Sequence, residues 1–291
     1  MLDLFTIVWG EMADSYLEFT LPSMLQEGNI PAARESIGSY TFYASDEAKS
    51  VITADRLYPQ LEKLVPILWQ PLQKGEWELN SNILSQMKAS ASMKNYILPL
   101  PPDVTLGNKS LLNLTGLINQ NFNPILYSIP RITEEGCEAL KSLLKAQEVV
   151  SNREMVSLAM KYFWKRAYPI VDRGDHWEVS CPLPAPCFLP DAELIDYFSQ
   201  DTTLTGYNID HCLPYTMVER GYPWHLINHS DIFFGVERKT QILTKKVSEL
   251  GIWRPEREED IIKTRQAEEF FVRQSVQTWQ GFERSKPQDF I

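Results

Sequence analysis

Leu2-Asp3-Leu4-Phe5-Thr6-Ile7-Val8-Trp9-Gly10, followed by Glu11-Met12-Ala13-Asp14-Ser15-Tyr16, decides the fold class of this chain. An apolar run of strand length stops at a glycine and gives way to helical spacing. An open α/β sheet that begins this way leaves a crevice at the strand's carboxyl end, where ligands bind. Gly10 permits close approach of backbone to a ligand, and a plain turn glycine would look the same.

Outward from that opening, strands and helices alternate. Tyr40–Ala44 reads as a second strand, Leu64–Trp69 as a third and Tyr96–Leu100 as a fourth. Ser45-Asp46 has the chemistry of a helix N-cap. Asn80–Met93 reads as a helix with Ile83, Leu84 and Met87 inward, and Ser110–Asn119 as another, before a strand over Pro124–Ile129. Pro22 must kink the first helix or start a second short one, because it has no backbone donor. Such alternation implies a mostly parallel sheet with right-handed crossovers.

The pattern changes after Arg131. Thr133–Val149 and Asn152–Lys165 read as helices, and Asp172–Pro190 as irregular strands and loops. Trp224–Asn228 and Ile232–Val236 are strand candidates, and Pro255–Trp279 reads as a charged helix packed on the body.

Bulk properties narrow the function classes. The chain has 291 residues, 44% hydrophobic and 23% charged, which suits a globular protein rather than a disordered one. A net charge of -10 argues against a general nucleic-acid binder. No apolar run approaches a membrane span of about 20 residues, and the Met-Leu-Asp-Leu-Phe start has no basic leader. Cys137, Cys181, Cys187 and Cys212 form no Cys-x-x-Cys pair, so reduced thiols in a cytoplasmic protein are expected. The dinucleotide fingerprint Gly-x-Gly-x-x-Gly and the phosphate loop are both absent from the sequence.

The chemistry-bearing candidates are acidic. Asp46, just past the second strand, can accept hydrogen bonds from a ribose or a base, or simply serve the helix start. Asp103 ends the fourth strand in Leu100-Pro101-Pro102-Asp103-Val104-Thr105, where a carboxylate can reach a divalent cation that holds phosphate oxygens. A turn aspartate bonding its own backbone is the plain alternative. In the second half, Asp210 and Asp231 are candidates for general base towards an acceptor hydroxyl, beside His176, Asp191, His211 and His229. Arg131 and Arg153 suit phosphate pairing or ordinary salt bridges.

Taken together, Thr6-Ile7-Val8-Trp9-Gly10-Glu11, the segment Leu21–Pro31, the strand Tyr40–Tyr43, Asp103–Asn108, Tyr207-Asn208-Ile209-Asp210 and Asn228-His229-Ser230-Asp231 resemble a bacterial family of glycosyltransferase-like proteins with the GT-A fold. The resemblance runs from residue 2 to about 240. It implies a GT-A-like transferase domain over 1–250, with a nucleotide-sugar half at 1–131 and an acceptor half at 132–250. Residues 251–291 would be a C-terminal helical extension. It also implies a nucleotide-sugar donor lined by Thr6, Val8, Trp9 and Gly10. Asp46 would lie near the base or ribose, and Asp103 at the diphosphate with Mn²⁺ or Mg²⁺. The acceptor would be a glycan or another hydroxyl compound. Members of this fold typically carry Asp-x-Asp at that point, and this chain has Asp103-Val104-Thr105. The expected activity is therefore cytoplasmic glycosyl transfer, with a non-catalytic binding or assembly module as the alternative.

Overall fold

A computed structural model of the chain describes residues 1–72, 78–147, 149–163, 170–180, 184–200, 206–238, 258–274 and 276–281. Strand β1 (Leu2–Val8) lies inside a parallel sheet between β2 (Ile37–Ala44) and β4 (Tyr96–Pro99), with β3 (Ile67–Pro71) outside β2. The order is β3-β2-β1-β4. Both faces of β1 are covered, which is why its sequence is a continuous apolar run rather than an alternating one. This is the expected α/β class, an open parallel sheet flanked by helices.

The segment after β1 solves the Pro22 problem within one helical run. It is α-helical over Met12–Ser15, opens to a π-helical turn over Tyr16–Thr20, and resumes as α-helix over Leu21–Met24. Pro22 falls in the first turn of that last piece, where its missing donor costs nothing. Tyr16, Tyr40, Phe42 and Trp69 form an aromatic file against this helix; the Tyr40–Phe42 and Phe42–Trp69 rings stack at 4.5 and 4.6 Å.

The helix Glu78–Met93 covers the other face. Ile83 and Met87 are buried as expected, and a second, polar stripe is buried with them: Asn82, Gln86 and Ser90. Ser90 Oγ donates to Asp3 Oδ2 at 2.7 Å and accepts from Gln86 Nε2 at 3.0 Å. The spacing of four residues puts all three on one helix face, and Ser90 fixes its level on β1.

The remaining strands form three small sheets, each of three strands. Strand β6 (Ile125–Tyr127) lies between β10 (Ala185–Cys187) and β11 (His225–Leu226). Strand β12 (Gly235–Arg238) joins β5 (Val104–Leu106) to β7 (Arg131–Ile132). Strand β9 (Trp177–Ser180) lies between β8 (Ile170–Asp172) and β13 (Val276–Trp279).

Three expectations shift here. The strand expected over Leu64–Trp69 is Ile67–Pro71, because Leu64 closes the helix Tyr58–Leu64. The strand expected over Ile232–Val236 starts later and runs to Arg238, because Phe233 and Phe234 are consecutive core residues rather than alternating ones. The helix expected to reach Trp279 ends at Gln274. Val276–Trp279 is a strand, drawn there by pairing with β9 and by Trp279 packing edge to face on Phe234 at 5.0 Å. The helix itself buries Ala267 and Phe271 against the body. No helix among the described residues is long and apolar enough to cross a membrane.

Candidate active site at the strand ends

The sheet order makes one place special. The chain passes from β1 to β2 to β3 on one side, then crosses to put β4 on the other side of β1. The strand order reverses between β1 and β4, and the crevice outside their carboxyl ends is where open α/β sheets bind ligands. Trp9 and Gly10 leave β1 there, both partly exposed. Gly10 holds φ at +47°, a conformation costly for other residues, and a Cβ added to it would meet nothing within 4 Å. Backbone conformation, not crowding, therefore favours glycine at this turn. Met12 N donates to Trp9 O, and Ala13 N to Gly10 O, both at 3.0 Å, starting the helix at once.

Thr6 and Val8 support this wall from within the sheet. Thr6 Oγ1 donates to Leu100 O at 2.8 Å and shares a second hydrogen bond with the Tyr40 hydroxyl, so it ties the exits of β1, β2 and β4 together. Val8 is fully buried, and its carbonyl accepts from Ser45 N. Ser45, rather than Asp46, caps the next helix: its side chain accepts from Ala48 N at 3.2 Å. Asp46 is exposed as the first helical residue, where a carboxylate complements the positive helix end.

Asp103 has a different setting. Its loop is held by Thr20, whose hydroxyl lies 2.9 Å from Pro102 O and 2.8 Å from Val104 O. Asp103 is 4% exposed. Burial pushes its carboxyl up to about 7; Glu237 adds to the rise, and its own backbone N–H with Arg131 and Arg238 opposes it. Arg131 meets Glu237 through two contacts, Nε to Oε2 at 2.8 Å and Nη2 to Oε1 at 2.7 Å. Arg238 N donates to Asp103 O at 3.1 Å, and its guanidinium lies over the Phe19 ring at 4.2 Å. The fold thus brings Asp103 together with Arg131, a phosphate-pairing candidate from the sequence, and adds Glu237 and Arg238. Those two were missed because the expected strand stopped at Val236, so the outward turn of its last two residues stayed invisible.

The other candidates are dispersed. Asp231 is clamped by Arg153, Nη2 to Oδ2 at 2.7 Å and Nε to Oδ1 at 3.1 Å, and its backbone N–H donates to His229 Nδ1 at 3.2 Å. Asp210 falls in the helix Gly206–Glu219, and its side chain and that of His211 lie outside the described residues. His176 pairs with Asp175 at 2.6 Å, and Asp191 accepts from the Tyr222 hydroxyl at 2.6 Å. Asn82 was not foreseen: it is 1% exposed, and neither atom of its amide meets a partner. It sits one turn from Gln86, on the side away from Ser90 and Asp3, and thus towards the carboxyl ends of the strands.

The donor set at Asp103 does not fit a divalent cation. Two carboxylates, Asp103 and Glu237, lie beside two guanidinium groups; Glu237 is already taken up by Arg131, and the guanidinium groups repel a dication. Thr105, at the third position of the triplet where the second aspartate would stand, offers a hydroxyl that is wholly buried in β5. Among the described residues, no group of three or more His, Cys, Asp or Glu side chains is arranged to hold a metal.

No protein-family model matches this chain, and no curated protein sequence does. Solved structures overlap it at low identity. A glucose-1-phosphate thymidylyltransferase assignment from Bacillus anthracis, in complex with a sucrose, has a TM-score of 0.43 and 8% identity, covering 90% of this chain and 99% of its own. The 4-diphosphocytidyl-2C-methyl-D-erythritol synthase from Anaerococcus prevotii gives 0.41 and 10%, over 93% and 97% of the two chains. An apo UDP-glucose pyrophosphorylase gives 0.38 and 9%, over 94% and 99%. Scores this low assign neither a family nor an activity.

Proposed function

We propose that the chain is a nucleotide-sugar-dependent glycosyltransferase of GT-A-like architecture. The observation that carries this reading is the reversal of strand order between β1 and β4, with Gly10 leaving one strand and Asp103 following the other. The nucleoside would lie along Trp9 and Gly10 with Asp46 at its rim, and the diphosphate would extend towards Asp103. The acceptor hydroxyl would attack the anomeric carbon, its proton passing to Asp210 or Asp231, while the nucleoside diphosphate leaves. Cationic side chains facing the diphosphate would stabilise the developing charge. In this reading residues 1–131 form the donor half, 132–250 the acceptor half, and 251–291 an extension.

Calorimetric titration with a panel of nucleotide sugars, with and without Mn²⁺, tests the donor. Binding of at least one donor is expected, and turnover of that donor should vanish in Asp103→Asn while the fold persists. Unchanged turnover in that variant removes Asp103 from the mechanism.

A second reading, a binding or assembly module without turnover, draws on the burial of Asp103 among charged side chains and on Thr105 in place of a second carboxylate. Absence of binding across the donor panel would favour it.

A further inference from the structure

The groups around Asp103 and Arg238 come from four separate places in the chain. Arg131 lies on β7, Glu237 and Arg238 on β12, Phe19 in the π-helical turn, and Lys141 on the helix Glu134–Ala146, where it pairs with Glu18. Arg238 is the notable member. Its Nε is buried without a partner, and its guanidinium is seated on the Phe19 face. A buried N–H donor left unpaired is costly unless something is meant to receive it. Beside it, the Arg131 side chain is 40% exposed and the Glu237 side chain 25% exposed, so this side of the cluster opens to solvent.

We propose that Arg238, with Arg131, forms an oxyanion site that takes a phosphoryl or diphosphate group directly, without a divalent cation. Guanidinium groups match phosphate oxygens in a planar, two-point geometry that a point charge cannot reproduce. The inference rests on the nucleotide-sugar reading only for what the phosphate belongs to; the anion site itself stands on the arginine geometry. Glu237 holds Arg131 in place and competes with the anion for it. Asp103, Cys137 and the Glu18–Lys141 pair enclose the buried side of Arg238.

The test is calorimetric binding of inorganic pyrophosphate to the full chain in EDTA. Binding is expected without metal. Arg238→Gln should weaken it about tenfold or more, the loss of one charge-assisted contact. Glu237→Gln should tighten binding. Should Arg238→Gln fail to fold, Arg238→Lys keeps the charge but not the planar fork, and should still weaken binding severalfold. Pyrophosphate binding that appears only with Mn²⁺, or that is unchanged in the Arg238 variants, overturns the proposal. Pyrophosphate binding alongside a blank nucleotide-sugar panel would defeat the glycosyltransferase reading and leave the anion site standing.

Discussion

Asp3 and Asp103 are equally buried, each 4% exposed, yet they are built in opposite ways. Asp3, at the amino end of β1, receives hydrogen bonds from Ser39 Oγ and Asn95 Nδ2 at 3.1 Å and from Ser90 Oγ at 2.7 Å. Every donor is neutral, and every one belongs to an element that must be locked to β1. Gly38 shows how tight this end is, since a Cβ there would come within 2.6 Å of Asp3 Oδ1. Asp103, past the carboxyl end of β4, faces another carboxylate and two guanidinium groups, and its proton affinity is raised. The first arrangement stabilises the sheet. The second holds charge in tension where a ligand can relieve it.

The comparison can be broken by mutation. Asp3→Ala strands two buried donors, Ser90 and Asn95, and the half-buried Ser39, so it should cost about 3 kcal/mol in urea unfolding. A loss much below that would mean the amino end is not a structural lock. Asp103→Asn should act the other way. The carboxyl of Asp103 titrates at about 7 in the folded chain against an ordinary 3.8, so the folded state holds the extra proton between those values. Wild-type stability should therefore fall as pH rises from about 4 to about 7 and level off above, and the Asn variant should be flatter and about 2 kcal/mol more stable at the upper end. A variant no more stable than wild type above that window would mean that Asp103 is not held under electrostatic tension. Asn82→Leu removes a buried amide with no partner, so a gain of about 1 kcal/mol is expected. A loss of stability would place Asn82 with Asp3 among the residues that lock the sheet. Asp231→Asn should leave the thermal midpoint unchanged, since its pair with Arg153 is exposed. A turnover loss of about a hundredfold there would identify the general base.

Some of the site was legible in the sequence. The glycine that ends the first strand, the serine that caps the next helix and the aspartate after Pro101-Pro102 all announce themselves through local chemistry. Arg131 stood out, with Arg153, as suited to a phosphate or a salt bridge, but nothing in the sequence placed it beside Asp103. Arg238 and Glu237 gave no signal, because alternation over four residues of β12 is too short to separate from the preceding Phe233-Phe234 pair. Asn82 was hidden for a related reason: its helix face reads as polar, and only the covering of that face by Asp3 and Tyr43 makes it interior.

What the sequence determined by itself is the α/β class, since hydrophobic period and turn chemistry are properties of neighbours in the chain. It also determined where β1 and β4 end, because glycine, proline and capping residues act within a few positions. Tertiary structure alone decided the strand order β3-β2-β1-β4, and hence where the crevice falls. It alone decided that residues 131, 237 and 238 would surround Asp103, because charge interactions depend on distance in space. The charge on Asp103 follows from that enclosure and its burial, neither of which any stretch of sequence contains.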